Sequence, residues 1–112
     1  MKPLVHPTLE EITVEGILYA LSDRVRASIY IGIACAECPQ MCANYLQVDD
    51  RRIPKSTLSL QFRILREAGL IRSERRGVEM LNTSRCREID QKFPGLLSTI
   101  VRCIQAQQAD RS

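Results

Sequence analysis

The sequence has no tryptophan, a single histidine (His6) and only five aromatic residues, Tyr19, Tyr30, Tyr45, Phe62 and Phe93. An interior with so few rings must be aliphatic, and 45% hydrophobic with 26% charged residues is the balance of an ordinary globular chain. No apolar run approaches the roughly 18 residues of a membrane span. The opening MKPLVHPTLE has neither an apolar h-region nor a cleavage site. These absences predict a cytoplasmic protein with no membrane partner. Internal repeats and low-complexity tracts are missing too, so one domain over residues 1–112 is expected, with the terminal few residues disordered. In so small a unit the surface-to-volume ratio makes dimerisation a natural source of further burial. Cysteine is present in an odd number, five, which in a reducing compartment predicts free thiols and no structural disulfide.

Net charge is only +3, but it is unevenly spread. Between Arg51 and Arg87 ten basic residues face three acidic ones, and the rest of the chain is net acidic. A basic middle on an acidic frame is the electrostatic footprint of a polyanion binder, nucleic acid above all, although a solvated charged surface gives the same count.

Val14, Ile17, Leu18 and Leu21 recur at helical spacing, so about Thr8 to Leu21 is predicted as an amphipathic helix with Glu10, Glu11 and Glu15 near its start. Ser22 as N-cap and Asp23 in the first turn begin a second helix, with Val25, Ile29 and Ile33 inward, ending near Gly32 or soon after. Pro39 suits a first helical position, which predicts a third helix through Met41, Cys42, Tyr45 and Leu46, followed by a polar turn, QVDDRR. Pro54 permits another start, and Gly69 marks the end of KSTLSLQFRILREAG. Leu58, Phe62 and Leu65 form the inward stripe of that helix, opposite Ser56, Ser59, Leu60 and Arg63. Small hydroxyls, an aliphatic residue and an arginine together suit the reading of base edges. LIRSERRGVEMLNT then reads as a β-hairpin with Arg75 and Arg76 at its tip, placed for phosphates or a minor groove. Ser84 caps a short helix through Ile89, and Pro94 begins a last one striped by Leu97, Ile100, Val101 and Ile104. The easiest cover for that stripe is the same helix of a second subunit together with the first helix.

The order helix, helix, helix, recognition-type helix, hairpin, helix is that of a winged helix-turn-helix, mainly α with a small β-hairpin. In EGILYALSDRVRASIY, KSTLSLQFRILREAGLIRSERRG and REIDQKFPGLLSTIV the chain resembles the ArsR/SmtB (arsenic-responsive repressor) family of small bacterial regulators. The resemblance covers nearly the whole chain, and the middle block is its most specific part. It implies a transcriptional repressor, not an enzyme. It also implies a homodimer joined through the first and last helices, whose paired recognition helices enter successive major grooves of an imperfect palindromic operator in double-stranded DNA. By position, Lys55, Ser56, Thr57, Ser59, Leu60, Gln61 and Arg63 fall in the recognition helix and Arg75 and Arg76 at the wing. Lys55, Ser56 and Thr57 suit phosphates, and Ser59, Leu60, Gln61 and Arg63 suit base edges. Relatives often carry a histidine-containing sequence where this chain has Leu60 and Gln61, and Gln61 lies toward the buried side by helical angle.

Many relatives sense soft metals or arsenite through cysteines in the third helix, others sense oxidants, and others carry no sensor. The Cys-Val-Cys box is absent, and CAECPQMC places Cys35, Cys38 and Cys42 around the expected start of that helix. Three thiolates suit trivalent arsenic, whereas zinc usually wants a fourth ligand, and His6 and Cys86 are distant in sequence. A reversible disulfide of Cys35 with Cys38 or Cys42 is the redox alternative, and packing without sensing is the third. Cys103 is expected to pack within its helix and Cys86 to be exposed. Two other classes of function compete. A thiol oxidoreductase built on Cys35-Ala-Glu-Cys38 lacks both a βαβ setting and a catalytic base; a winged-helix module that binds only protein would lack DNA affinity.

Overall fold

The computed structural model describes residues 4–48 and 50–111. Met1–Pro3 and Ser112, where terminal disorder was expected, and Asp49 of the expected polar turn lie outside the described residues. Among the described residues the chain is mixed α/β, with five α-helices and small antiparallel sheets, an order compatible with a winged helix.

The first predicted helix is shorter than its pattern. Leu9–Glu11 form a single 3-10 turn, Ile12 and Thr13 are extended, and helix α1 runs Val14–Leu21. Thr13 breaks the run because its hydroxyl accepts from Gly16 N at 3.0 Å, capping a new helix where the periodicity alone predicts continuation. Ile12 turns inward at 2% exposure, while Leu18, expected in the buried stripe, is half exposed. Helix α2 spans Arg24–Cys35. Its N-cap is Asp23, whose carboxylate accepts from Arg26 N at 3.0 Å; Ser22 instead closes α1, donating to Tyr19 O.

The predicted third helix is absent. Gln40–Met41 form a two-residue strand, β1, and Cys42–Tyr45 make one 3-10 turn. Pro39 was read as a helix start, but the residues after it pair with a distant strand, and that pairing satisfies the backbone groups a helix would have used. The expected polar turn holds a second two-stranded ladder, β2 (Gln47–Val48) with β3 (Arg51–Arg52), near Asp50 at φ 63.

Helix α3, Lys55–Glu67, follows the sequence prediction closely. Leu58, Phe62 and Leu65 are buried, and Gly69 at φ 86 lets Gly69 N and Leu70 N reach back to Arg66 O and Leu65 O, both at 3.0 Å. Those two bonds make a Schellman stop. Strands β4 (Ile71–Arg76) and β5 (Glu79–Ser84) form the hairpin, with Gly77 at φ 62 in its two-residue loop. β1 adds to the far side of β5, with Gln40 opposite Asn82, giving the order β1-β5-β4.

Helix α4 runs Cys86–Lys92, past the expected end at Ile89, and α5 runs Leu96–Asp110. Only Leu97 of the α5 stripe is fully buried; Ile100, Val101 and Ile104 are half-buried. Cys103, expected to pack, is exposed. It follows Leu97 by six residues, about 240° round the helix and away from the stripe.

Three buried or tethered cations hold these elements together. Arg26 is buried and donates to Ala20 O at 2.8 Å, Tyr19 O at 3.2 Å and Gln61 Oε1 at 3.0 Å, so it caps the end of α1 and joins it to α3. Arg85 donates to Pro7 O at 2.8 Å and to both oxygens of Glu88. Lys92 Nζ donates to the carbonyls of Leu9, Glu10 and Ile12 at 2.9, 2.9 and 2.7 Å. The extended N-terminal segment is thereby strapped across the end of α3, β4 and α4.

Candidate nucleic-acid interface

Burying Leu58, Phe62 and Leu65 turns the opposite side of α3 outward. Lys55, Ser56, Thr57, Ser59, Leu60 and Arg63 are exposed, and Leu60 keeps 43% of its surface accessible. Ser56, Ser59, Leu60, Arg63 and Arg66 line a shallow surface groove of about 330 Å³. Pro54 provides no side-chain cap, so the first N–H groups of this 13-residue helix remain available for an anion.

Gln61 stands apart from the other predicted contacts. It is half-buried, and its Oε1 is held by the Arg26 guanidinium at 3.0 Å. That hydrogen bond ties α3 to α2, in keeping with the position of Gln61 toward the buried side by helical angle.

At the hairpin, Arg75 and Arg76 are exposed at the end of β4. Arg76 Nε sits 3.3 Å from Glu74 Oε1, a solvent-exposed pair that contributes little and yields readily to a stronger anion. Arg66, absent from the sequence prediction, links the helix to the hairpin. It is half-buried, and Nη1 donates to Ser73 Oγ at 3.4 Å. Burial pulls its pKa down, Arg75 and Arg63 push the same way, and Cys42 and Glu67 oppose them. Arg63, Arg66 and Arg75 therefore share one electrostatic neighbourhood spanning α3 and β4. The i, i+3 spacing of Arg63 and Arg66 was the sequence signal that could have flagged it.

Two further cations of the basic segment have other work. Arg85 is buried at 4% exposure and neutralised by Glu88, and Arg72 also reaches Glu88 at 3.2 Å. The excess of positive charge read from sequence thus overstates the charge on the α3 side.

Behind that side lies a buried polar web. Asn82, fully buried, donates from Nδ2 to Gln40 O at 3.0 Å, Met80 O at 3.4 Å and Cys42 Sγ at 3.5 Å, and its Oδ1 accepts from Ser73 Oγ at 2.7 Å. Ser73 N in turn donates to His6 Nε2 at 2.9 Å. One amide therefore joins β1, both hairpin strands and, through Ser73, Arg66 of α3.

The three cysteines of CAECPQMC have separate surroundings. Cys35, at the end of α2, is exposed and accepts from Gln105 Nε2 at 3.6 Å; exposed Cys38 accepts from Gln40 Nε2 at 3.7 Å. Half-buried Cys42 faces Asn82, and burial raises its pKa against the opposing effects of that hydrogen bond and of Arg66. Among the described residues no three His, Cys, Asp or Glu side chains converge to hold a metal ion. The three thiols as placed therefore do not fit a three-thiolate arsenite centre. Among the described residues no helix is long and apolar enough to cross a membrane. No family model and no curated protein matches this chain.

Proposed function

We propose that this protein is a sequence-specific DNA-binding transcriptional regulator, a winged helix-turn-helix repressor of the ArsR kind that its sequence resembles. The observation that carries the reading is the outward side of α3. Ser56, Ser59, Leu60 and Arg63 are exposed there, beside an uncapped helix start, while Arg66 ties that helix to a hairpin ending in Arg75 and Arg76. In this reading α3 enters the major groove, Arg63 and Leu60 meet base edges, and the hairpin arginines meet phosphates or the minor groove.

A homodimer through α1 and α5 completes the proposal. Leu18 and Tyr19 are exposed on α1, at 50% and 63%, and Ile100, Val101 and Ile104 of α5 are only half-buried, which leaves apolar area for a second copy. Two-fold symmetry would then match two half-sites about one helical turn apart. Of the effectors the sequence suggested, thiol oxidation suits the separate placement of the cysteines better than a three-thiolate arsenite or soft-metal centre, and Cys42 is the thiol best connected to the hairpin through Asn82.

The test is a fluorescence-anisotropy titration of reduced protein with the promoter DNA of its own operon, with and without arsenite, Zn(II) or peroxide. Arg63→Ala is expected to weaken specific binding by about 1 to 3 kcal/mol. Arg75→Ala is expected to reduce the slope of log K against log[salt] by about 0.9. Unchanged affinity in both variants refutes this DNA-binding surface, and sedimentation of a monomer at all concentrations refutes the dimer.

A further inference from the structure

A cavity of about 490 Å³ lies between α2, α4 and α5, and shares no lining residue with the outward side of α3. Its volume is that of a small-molecule site. Ala34, Leu97 and Val101 supply apolar wall, and two thiols open onto it, Cys35 from the end of α2 and Cys86 from the start of α4. These cysteines are 51 residues apart in sequence, which is why no motif announces them.

Cys86 is held in place rather than merely nearby. The buried Tyr30 hydroxyl pairs with Ser84 Oγ at 2.7 Å, and the same Ser84 oxygen accepts from Cys86 N at 3.1 Å. The Cys35 thiol already accepts from Gln105. Arg87 lines the cavity beside Cys86, whereas Asp90, also on the wall, is occupied in accepting from Gly95 N at 3.1 Å. Because no three ligating side chains converge among the described residues, the site is not a cation cage. An apolar wall with a soft nucleophile and a guanidinium matches an apolar carbon electrophile activated by a conjugated carbonyl.

We propose that this cavity binds apolar α,β-unsaturated carbonyl compounds and that Cys86 adds to them. The apolar tail lies against Ala34, Leu97 and Val101, and the carbonyl oxygen faces Arg87. Cys86 Sγ, having given its proton to water, forms a bond to the β-carbon. The C=C π pair moves toward the carbonyl oxygen, where Arg87 stabilises the enolate. The α-carbon then takes up a proton from water. In sum S–H and C=C become S–C and C–H, with no oxidant or reductant consumed.

The test uses the exposed thiols Cys38 and Cys103 as internal references. Reduced full-length protein is labelled with limiting pentyl vinyl ketone, or with acrylamide as a polar acceptor, and the modified cysteines are quantified by peptide mass spectrometry. The ketone is expected to label Cys86 about tenfold faster than Cys38 and Cys103, the gain from burying about two methylenes. Acrylamide is expected to show no such preference. Ala34→Gln, at a half-buried position on α2 outside the proposed dimer seam, removes the preference while leaving acrylamide labelling unchanged, and circular dichroism confirms that the variant is folded. Equal labelling of all three cysteines by the ketone overturns the site, as does a preference that survives Ala34→Gln. Label on Cys35 in place of Cys86 overturns the choice of nucleophile.

Discussion

Replacing Asn82 by alanine tests whether the buried polar web stabilises the sheet. The substitution removes donors to Gln40 O, Met80 O and Cys42 Sγ, and the acceptor for Ser73 Oγ. Gln40 and Met80 are half-buried, so water can reach some of what they lose. Ser73 is 4% exposed, so its hydroxyl is left with fewer partners away from solvent. One poorly compensated buried group costs about 1 to 3 kcal/mol, and the space left by a fully buried side chain adds roughly 1 more. The expected loss is about 2 to 4 kcal/mol, a large share of the 5 to 15 kcal/mol typical of a domain. With m about 1.5 kcal/mol/M, the urea midpoint falls by roughly 1.3 to 2.7 M at unchanged m. The web also predicts coupling. Ser73→Ala costs less in the Asn82→Ala background than in the wild type, with an interaction energy above about 0.5 kcal/mol. A midpoint shift under roughly 0.3 M, or strict additivity of the two substitutions, refutes the reasoning.

Gly69→Ala is expected to destabilise by about 2 to 4 kcal/mol in the same urea assay, because φ 86 disfavours a side chain and the new Cβ collides with buried Ile12. A stabilised variant would show that the Schellman stop and the strap can relax together. The pH dependence of stability between neutral and mildly acidic solution should carry a His6 component. Burial lowers its pKa, Arg72, Arg66 and Arg85 lower it further, and a hydrogen bond with the Leu4 backbone opposes them. The unfolded chain therefore binds the proton more readily. The contribution is complete above pH about 6.5 and declines as pH falls from there to the folded pKa. Urea midpoints of wild type and His6→Gln should diverge at pH 7.5 and converge toward pH 5, and parallel pH profiles would remove His6 from the account.

What could be read from the sequence follows from how local each signal is. The α3 helix was legible because Pro54, the Leu58–Phe62–Leu65 stripe and Gly69 all act within one segment. The hairpin was equally self-contained, with its turn glycine between two β-competent runs. The region after Pro39 was misread because Gln40 and Met41 are set by pairing with Asn82 and Leu81, some forty residues away. The partners of His6, Arg26, Arg66 and Arg85 were invisible for a related reason. Each is a polar side chain satisfied by an element elsewhere in the chain, and only the folded arrangement separates these side chains from the solvent-facing arginines of α3 and the hairpin.

The N-terminal strap bears on how the chain is made. His6 meets Ser73, Pro7 meets Arg85, and Leu9, Glu10 and Ile12 meet Lys92, across separations of 67, 78 and 80 to 83 residues. A ribosome delivers the first partner of each pair long before the second. The strap must therefore wait, unpaired, until α4 has emerged from the exit tunnel. Completion of the fold waits for α4, and a nascent chain stalled before Lys92 would leave the Leu9, Glu10 and Ile12 carbonyls without their ammonium partner.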